Sequence, residues 1–215
     1  MNLDWIKSEE NSLIYIGDTM CSWCYGFAPE LDKFSANHPE LKLRMVQGGL
    51  RPFGTEKLSS MADFLKKHFI EIEKRTGQPF SYDMFDNEDF ILDTEPASRA
   101  VVVARMMDES KELEFFKAVQ TAFYVENKNT NLIETYSQIA EQLGLDAIKY
   151  AELFDSEEAK YSTKTDFQLS SEMGVKGFPS VVLKMNGQFY MISNGYREAA
   201  DLESVYENVQ KELAQ

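Results

Sequence analysis

The strand-like segments of this 215-residue chain form two groups, and about a hundred residues of helical pattern separate them. The first group lies within residues 13–46 and the second within residues 181–192. Between residues 55 and 154 apolar residues recur at helical spacing, with almost no strand-like alternation. Since short strands must pair to be stable, the two groups are expected to share one sheet. We therefore predict an α/β domain formed by residues 1–54 and 156–215, with an inserted helical domain at residues 55–155.

The first fifty residues have the pattern strand, helix, strand. The run Leu13-Ile14-Tyr15-Ile16 is short, apolar and followed by Gly17-Asp18, as expected for a buried strand. A helix is predicted next, and Asn37-His38-Pro39 ends it because a residue before proline is pushed out of helical geometry. Residues 41–46 alternate between apolar and mostly polar side chains. This pattern predicts a βαβ unit.

The last sixty residues return to strands. A helix is predicted from Ser156 to Met173-Gly174. Two apolar runs, residues 181–185 and 188–192, flank Asn186-Gly187, which is the strongest short signal for a β-hairpin. An amphipathic helix ending near Leu213 closes the chain. The predicted order is therefore βαβ, a block of helices, then αββα.

The charge of the chain excludes several classes of partner. Lys and Arg number 22 and Asp and Glu number 36, which gives a net charge of −14. Such a surface repels phosphate backbones and anionic lipid headgroups, so we expect neither a nucleic-acid nor a membrane partner. No apolar run is long enough to cross a bilayer, and the first ten residues lack the pattern of a secretory signal. A cytoplasmic location is expected.

The two cysteines of the chain, Cys21 and Cys24, lie at the predicted strand-to-helix junction. A thiolate attacks a disulfide, and the N–H groups and dipole of a helix N-terminus stabilise that anion. Two intervening residues let the second thiol reach the first sulfur in a mixed disulfide. The intervening Ser22 and Trp23 carry no positive charge, so the helix end must supply most of the stabilisation. Cys21 is predicted to be the more acidic and more exposed thiol.

Zinc binding and a chance pairing are the alternatives for the cysteines. Zinc requires two further ligands, and the two histidines of the chain, His38 and His68, are thirty positions apart. An inert pair does not account for a position directly after a buried strand. A C-x-x-C in a βαβ context favours redox chemistry, with no metal and no cofactor expected.

A second segment, Gly177-Phe178-Pro179-Ser180, lies directly before the first hairpin strand. Proline is tolerated at the start of a strand because its missing N–H is not needed there. The simple interpretation is therefore a proline that opens the strand. The more specific hypothesis is a cis Phe178–Pro179 bond that faces the two thiols.

Together these segments resemble the DsbA family of thioredoxin-fold proteins, and more narrowly its cytosolic branch of predicted protein-disulfide isomerases. The resemblance rests on residues 18–27, on Pro29, on residues 174–179 and on the inserted helices, so it covers nearly the whole chain. It implies a thioredoxin-like fold with an inserted all-helical domain, and thiol–disulfide oxidoreductase or isomerase activity on protein or small-molecule thiols and disulfides. It further implies that Cys21 is the nucleophile, Cys24 the resolving thiol and Pro179 the cis-proline, and that the Phe178 backbone pairs with an extended substrate.

Two departures argue against a strongly oxidising role. Ser22-Trp23 stands where periplasmic members have Pro-His, and no export signal is evident. Asp18 also matches a family position, and the residues favour a turn or capping role for it.

Two alternative functions stay open. Glutathione-dependent relatives, the 2-hydroxychromene-2-carboxylate isomerases and kappa-class glutathione transferases, resemble the chain in layout and at residues 94–100. They typically carry serine where Cys21 stands. Bound glutathione, and a glutathione-dependent isomerase or transferase activity, therefore stay open. A non-enzymatic adaptor that only senses redox state is the other alternative.

Overall fold

A computed structural model describes residues 4–8 and 10–214 of the chain. Strand and helix signals fall where the sequence pattern predicts them, and boundaries differ by a few residues. The helices are α1 (Asp4–Lys7), α2 (Ser22–Asn37), α3 (Ala62–Thr76), α4 (Glu95–Met107), α5 (Glu112–Tyr124), α6 (Ile133–Gln142), α7 (Ala147–Phe154), α8 (Glu157–Glu172) and α9 (Ala199–Leu213).

Within the described residues, four strands form one mixed sheet in the order β2-β1-β3-β4. They are β1 (Ser12–Gly17), β2 (Lys42–Gln47), β3 (Ser180–Met185) and β4 (Gln188–Asn194). Strand β1 runs parallel to β2 and antiparallel to β3, so the N-terminal and C-terminal segments meet at the centre of the sheet. The hairpin turn has positive φ at Asn186 (51°) and Gly187 (75°), as a type I′ turn requires. The fold is a thioredoxin-like α/β fold.

The alternation of side chains along β1 separates two hydrophobic layers. Leu13 and Tyr15 point into a large core that includes the buried face of α2. Ile14 and Ile16 point to the opposite face, where they pack with Leu169 of α8. Strand β1 is therefore buried on both faces, and its carboxyl end is fixed between two helical layers.

Helices α3 to α7 lie between β2 and α8 in the chain and pack against the same core. The Phe116 ring of α5 meets the Tyr15 ring of β1 edge-on, with 5.7 Å between ring centroids. Because buried residues of both segments belong to one cluster, the inserted helices form a wall beside the sheet. The domain boundaries at residues 54/55 and 155/156 stay a prediction.

A buried ion cluster fixes this wall to the sheet. Arg105 of α4 donates to Glu112 of α5 at 2.9 Å and to both carboxylate oxygens of Asp166 of α8, at 3.0 and 3.1 Å. Asp166 also accepts the backbone N–H of Gln47 at 2.9 Å. Burial raises the pKa of Asp166 and raises that of Glu112 to about 8, while Arg105 opposes both shifts. The cluster joins three helices to the end of β2.

Among the described residues, no helix has both the length and the apolar character that a membrane crossing needs.

Candidate active site

The cysteine pair lies where β1 passes into α2. Cys21 is the N-cap residue, with extended backbone (φ −90°, ψ 111°), and α2 begins at the next residue. Its N–H donates to the carbonyl of Asp18 at 3.1 Å, which closes the turn after the strand. Both cysteines are free thiols. The structure therefore places both cysteines at the strand-to-helix junction that the sequence predicts.

The two thiols differ in how far they are buried. Cys21 is 7% exposed and Cys24 is completely buried. Cys21 is thus the more exposed thiol, as the sequence predicts, although the surrounding walls cover most of it. Burial, followed by the effect of Cys21, raises the pKa of Cys24 well above its ordinary value. Cys24 therefore keeps its proton at neutral pH.

The segment before β3 lies against Cys21, although 157 positions separate them in the chain. The Cys21 Sγ lies 3.7 Å from the carbonyl oxygen of Phe178, a distance suited to a weak S–H···O hydrogen bond. The Phe178–Pro179 peptide bond is cis. The Phe178 ring covers Gly48, where a Cβ atom would lie 2.3 Å from the ring, so no other residue fits there without displacing the ring.

Asp18 connects the two sides of the site. Its carboxylate is buried and accepts the N–H of Met20 at 2.9 Å and the N–H of Leu50 at 2.7 Å. The first bond shapes the turn that carries Cys21, and the second holds the loop after β2. Burial raises the pKa of Asp18 to about 6, against the effect of these two bonds. The predicted turn role is present, and the link to Leu50 is a contact that sequence alone does not give.

A cavity of about 260 Å³ opens beside Cys21, between the sheet end and the inserted helices. Most of its surface is apolar, with Arg51 and His68 among the polar residues on it. The exposed rings of Phe53 and Phe64 lie on the loop after β2 and on α3. The lining residues are Met20, Cys21, Ser22, Trp23, Leu50, Arg51, Leu58, Met61, Phe64, Leu65, His68, Phe69, Leu92, Thr94, Phe123, Tyr124 and Phe178.

The apolar face of α3 and of the turn before it contributes to both the core and the cavity. Leu58, Phe69 and Ile72 are buried in the core, and Met61 and Leu65 pack against it. Leu58, Met61 and Leu65 also line the cavity that faces Cys21. Periodicity identifies an apolar face, but it does not distinguish a face that meets core from one that meets a cavity.

The dipeptide between the cysteines has an additional contact. The Trp23 ring packs on Tyr196, with 5.6 Å between centroids, and the Arg75 guanidinium lies 4.7 Å from the centroid of the same Tyr196 ring. Tyr196 follows β4 and Arg75 belongs to α3. Trp23 therefore helps to join the active-site turn to both parts of the chain, while Ser22 lines the cavity.

The histidines have separate environments. His38 lies at the end of α2, with Nε2 2.6 Å from Glu203 and Nδ1 3.1 Å from Glu40. His68 lines the cavity, and its Nδ1–H donates to the Phe64 carbonyl at 2.9 Å. Within residues 4–8 and 10–214, no group of three or more His, Cys, Asp or Glu residues is arranged to hold a metal ion.

Comparison with known proteins identifies the family. The model of the DSBA-like thioredoxin domain matches residues 14–207 of this chain. The chain belongs to the DsbA-like thioredoxin family. Members of this family are thiol–disulfide oxidoreductases, and the chain is an enzyme of this kind. No functionally curated protein matches the sequence.

Two solved structures are similar over almost their whole length. A candidate protein disulfide isomerase from Nitrosomonas europaea is 33% identical, with a TM-score of 0.87, over 95% of this chain and 99% of that one. The cytosolic disulfide reductase DsbM from Pseudomonas aeruginosa is 25% identical, with a TM-score of 0.77, over 93% of this chain and 98% of that one. DsbM has also been solved with GSH.

A 2-hydroxychromene-2-carboxylate isomerase shares the fold. It is 17% identical, with a TM-score of 0.66, over 94% of this chain and 97% of that one. This identity supports a common fold and no more.

Proposed function

We propose that this protein exchanges thiols and disulfides through Cys21 and Cys24, with Cys21 as the attacking sulfur. The observation that carries the proposal is the unequal placement of the two thiols at one helix end. Cys21 lies on a cavity and against the Phe178 carbonyl, whereas Cys24 is sealed beneath it. A substrate sulfur in the cavity therefore meets Cys21 first.

The reaction has two steps. The Cys21 thiolate attacks one sulfur of a substrate disulfide, so that a mixed disulfide forms and the other substrate sulfur leaves with the electron pair. The Cys24 sulfur then attacks Cys21, the Cys21–Cys24 bond forms, and the second substrate sulfur departs. The proton of Cys24 ends on that departing thiol. The substrate is reduced by two electrons and the enzyme is oxidised by two.

Extended polypeptides fit the geometry around Cys21. The carbonyl of Phe178 lies beside the thiol and just before β3, where a substrate backbone in extended form can pair with it. Apolar side chains near the substrate cysteine fit the cavity wall formed by Leu58, Met61 and Leu65. We propose protein disulfides as substrates, with reduction or isomerisation in the cytosol, as the names of the two similar proteins suggest.

Trapping tests this proposal. In Cys24→Ala, the mixed disulfide on Cys21 has no resolving thiol, so substrates are expected to stay attached and to be released by a reductant. The matched control Cys21→Ala retains the buried thiol and is expected to trap nothing. Equal trapping by the two variants contradicts the assignment of Cys21 as nucleophile. Retention of the same partners by the Cys21→Ala/Cys24→Ala double variant indicates the non-enzymatic adaptor instead.

Glutathione is a second substrate candidate. DsbM, at 25% identity, has been solved with GSH, and Arg51 lines the cavity beside Cys21, where its guanidinium can attract the carboxylates of a small peptide. We expect Cys24→Ala to gain the mass of one glutathionyl group from oxidised glutathione. A glutathione-dependent isomerase or transferase is distinguished by turnover that survives the loss of Cys24.

A further inference from the structure

Tyr15 belongs to the same buried cluster as the two cysteines, and its hydroxyl has no hydrogen-bond partner among the residues that the structure describes. Tyr15 lies in the central strand β1 and is 1% exposed. Leaving such a group unpaired in the interior is costly. Buried tyrosines usually find a partner, as Tyr150 does by donating to the Ala100 carbonyl at 2.7 Å.

The direction of the Tyr15 side chain follows from its neighbours. A Cβ atom on Gly17 would lie 2.6 Å from the Tyr15 hydroxyl, so the ring lies along the strand toward its carboxyl end. That end carries the turn to Cys21. The Tyr15 ring also contacts Phe27 of α2, with 5.9 Å between centroids. Cys24 lies three residues before Phe27, on the same face of α2, and it belongs to the same buried cluster as Tyr15.

The electrostatics agree with this placement. The Cys24 thiol raises the pKa of the Tyr15 phenol, second only to burial, and the Tyr15 hydroxyl acts to lower the pKa of Cys24. A raised pKa for the phenol and a lowering effect on the pKa of the thiol are expected when a protonated phenol faces a sulfur that becomes an anion. The other groups that act on this sulfur are the Cys21 thiol and the backbone N–H of Asp18, and the Tyr124 phenol of α5 lies near it.

We propose that the Tyr15 hydroxyl donates a hydrogen bond to the Cys24 sulfur while that sulfur carries negative charge. This rests on the proposed function. When the Cys24 sulfur attacks Cys21, or leaves it as the enzyme disulfide is opened, the charge on Cys24 develops in a place closed to water. The hydroxyl then replaces water as the donor. Since Tyr15 keeps its proton throughout, the atom and electron balance of the exchange is unchanged.

This role has a kinetic signature that a packing role lacks. In the oxidised enzyme Cys24 is in a disulfide, and in the reduced enzyme it is a protonated thiol, so neither end state carries the charge. The hydrogen bond therefore stabilises the transition state alone. Both the closing and the opening of the Cys21–Cys24 bond depend on it, and the reduction potential does not.

The test is Tyr15→Phe, which keeps the ring and removes the hydroxyl. We expect the unimolecular closing step, followed with oxidised glutathione as the disulfide, to slow roughly tenfold or more, the scale of a hydrogen bond to a charged group. Opening of the enzyme disulfide by reduced glutathione is expected to slow by the same factor. The potential is expected to stay unchanged, and the pH midpoint of the closing step to rise. Attack by Cys21 in the Cys24→Ala background is expected to be unaffected.

Two further variants make the test decisive. Gly17→Ala retains Tyr15 but displaces its hydroxyl, and is expected to show the same slowing. Tyr150→Phe loses a buried hydroxyl remote from the cysteines and is expected to affect stability alone. Unchanged closing rates in Tyr15→Phe overturn the inference, as does a changed potential with only one rate affected. A wild-type enzyme without a closing step overturns the proposed function instead.

Discussion

Cys21 and Cys24 lie within one turn of the same helix, yet burial assigns them different roles. Cys21 meets the cavity, and Cys24 is enclosed by the core. Because desolvation disfavours the anion, Cys24 holds its proton until a mixed disulfide on Cys21 gives it a sulfur to attack. The difference in burial between Cys21 and Cys24 thus sets the order of the two steps, attack by Cys21 and then resolution by Cys24.

Asp18 gives a prediction at the same scale. Its pKa is raised from 3.8 to about 6, so the folded protein binds this proton more tightly than the unfolded chain. The resulting stabilisation is present below about pH 4 and is lost as the pH rises through about 6, opposite to a salt-bridged carboxyl. We expect the free energy of unfolding of Asp18→Asn, relative to wild type, to rise by about 1–3 kcal/mol between pH 4 and pH 7.

Urea unfolding at a series of pH values measures this difference. The asparagine can accept only one of the N–H groups of Met20 and Leu50 well, which adds a loss that is the same at every pH. Glu112 also titrates in this range, with a pKa of about 8, but it is present in both proteins and cancels. A difference that does not change with pH contradicts the prediction.

At the scale of helices and strands, the Arg105 cluster decides how the inserted helices sit against the sheet. Arg105→Ala removes the cation that faces the buried carboxyl groups of Glu112 and Asp166. Since the pKa of Glu112 is about 8, the charge left unpaired at neutral pH is mainly that of Asp166. We expect the free energy of unfolding to fall by about 3–5 kcal/mol at neutral pH, the usual result of removing one partner from a buried ion pair. The deficit is expected to shrink at lower pH, because Asp166 can then take up a proton as well.

Denaturant unfolding with an exposed ion pair as control checks this prediction. Lys57 pairs with Asp89 at 3.0 Å on the surface, and its loss in Lys57→Ala is expected to change stability by about 1 kcal/mol or less. If Arg105→Ala also loses only about 1 kcal/mol of stability, the Arg105 cluster does not hold the inserted helices against the sheet.

Elements with a local signal could be predicted from sequence. The turn Asn186-Gly187 needs two residues with positive φ, and helix α2 follows a short buried strand, so a few adjacent residues determine each. The site contacts are different. Asp18 meets Leu50 because the parallel strands β1 and β2 end side by side. Arg105 meets Asp166, sixty-one positions away, because the inserted helices pack against α8 and the sheet. Such pairs depend on the tertiary arrangement, and no pattern in either segment contains them.

At the scale of the whole molecule, the sheet order brings three distant segments to one edge. Strand β1 pairs with both β2 and β3, so the turn with Cys21, the loop with Leu50 and the segment with Phe178 meet at the carboxyl end of β1. Helix α3 closes the fourth side of the cavity. The active site therefore forms only when the two ends of the chain have met.

The redox poise is a property of this whole arrangement, and it gives the last prediction. An oxidising enzyme needs its reduced form stabilised, which positive charge beside the attacking sulfur achieves. Here Ser22 and Trp23 bring none, and Cys24 is protonated when reduced. We expect a reduction potential between roughly −270 and −120 mV, nearer the reducing end, as suits a reductase. Equilibration with glutathione buffers measures it.

A pair of variants separates charge from packing in this prediction. Trp23→Phe retains a ring beside Tyr196 without adding charge, and its potential is expected to match that of wild type. Trp23→His places an imidazole next to Cys21, where the imidazolium stabilises the thiolate of the reduced form. Its potential is expected to rise by roughly 30 mV or more, equivalent to about 1.4 kcal/mol. A wild-type potential near −120 mV, or equal potentials in the two variants, would mean that another feature of the site controls the poise.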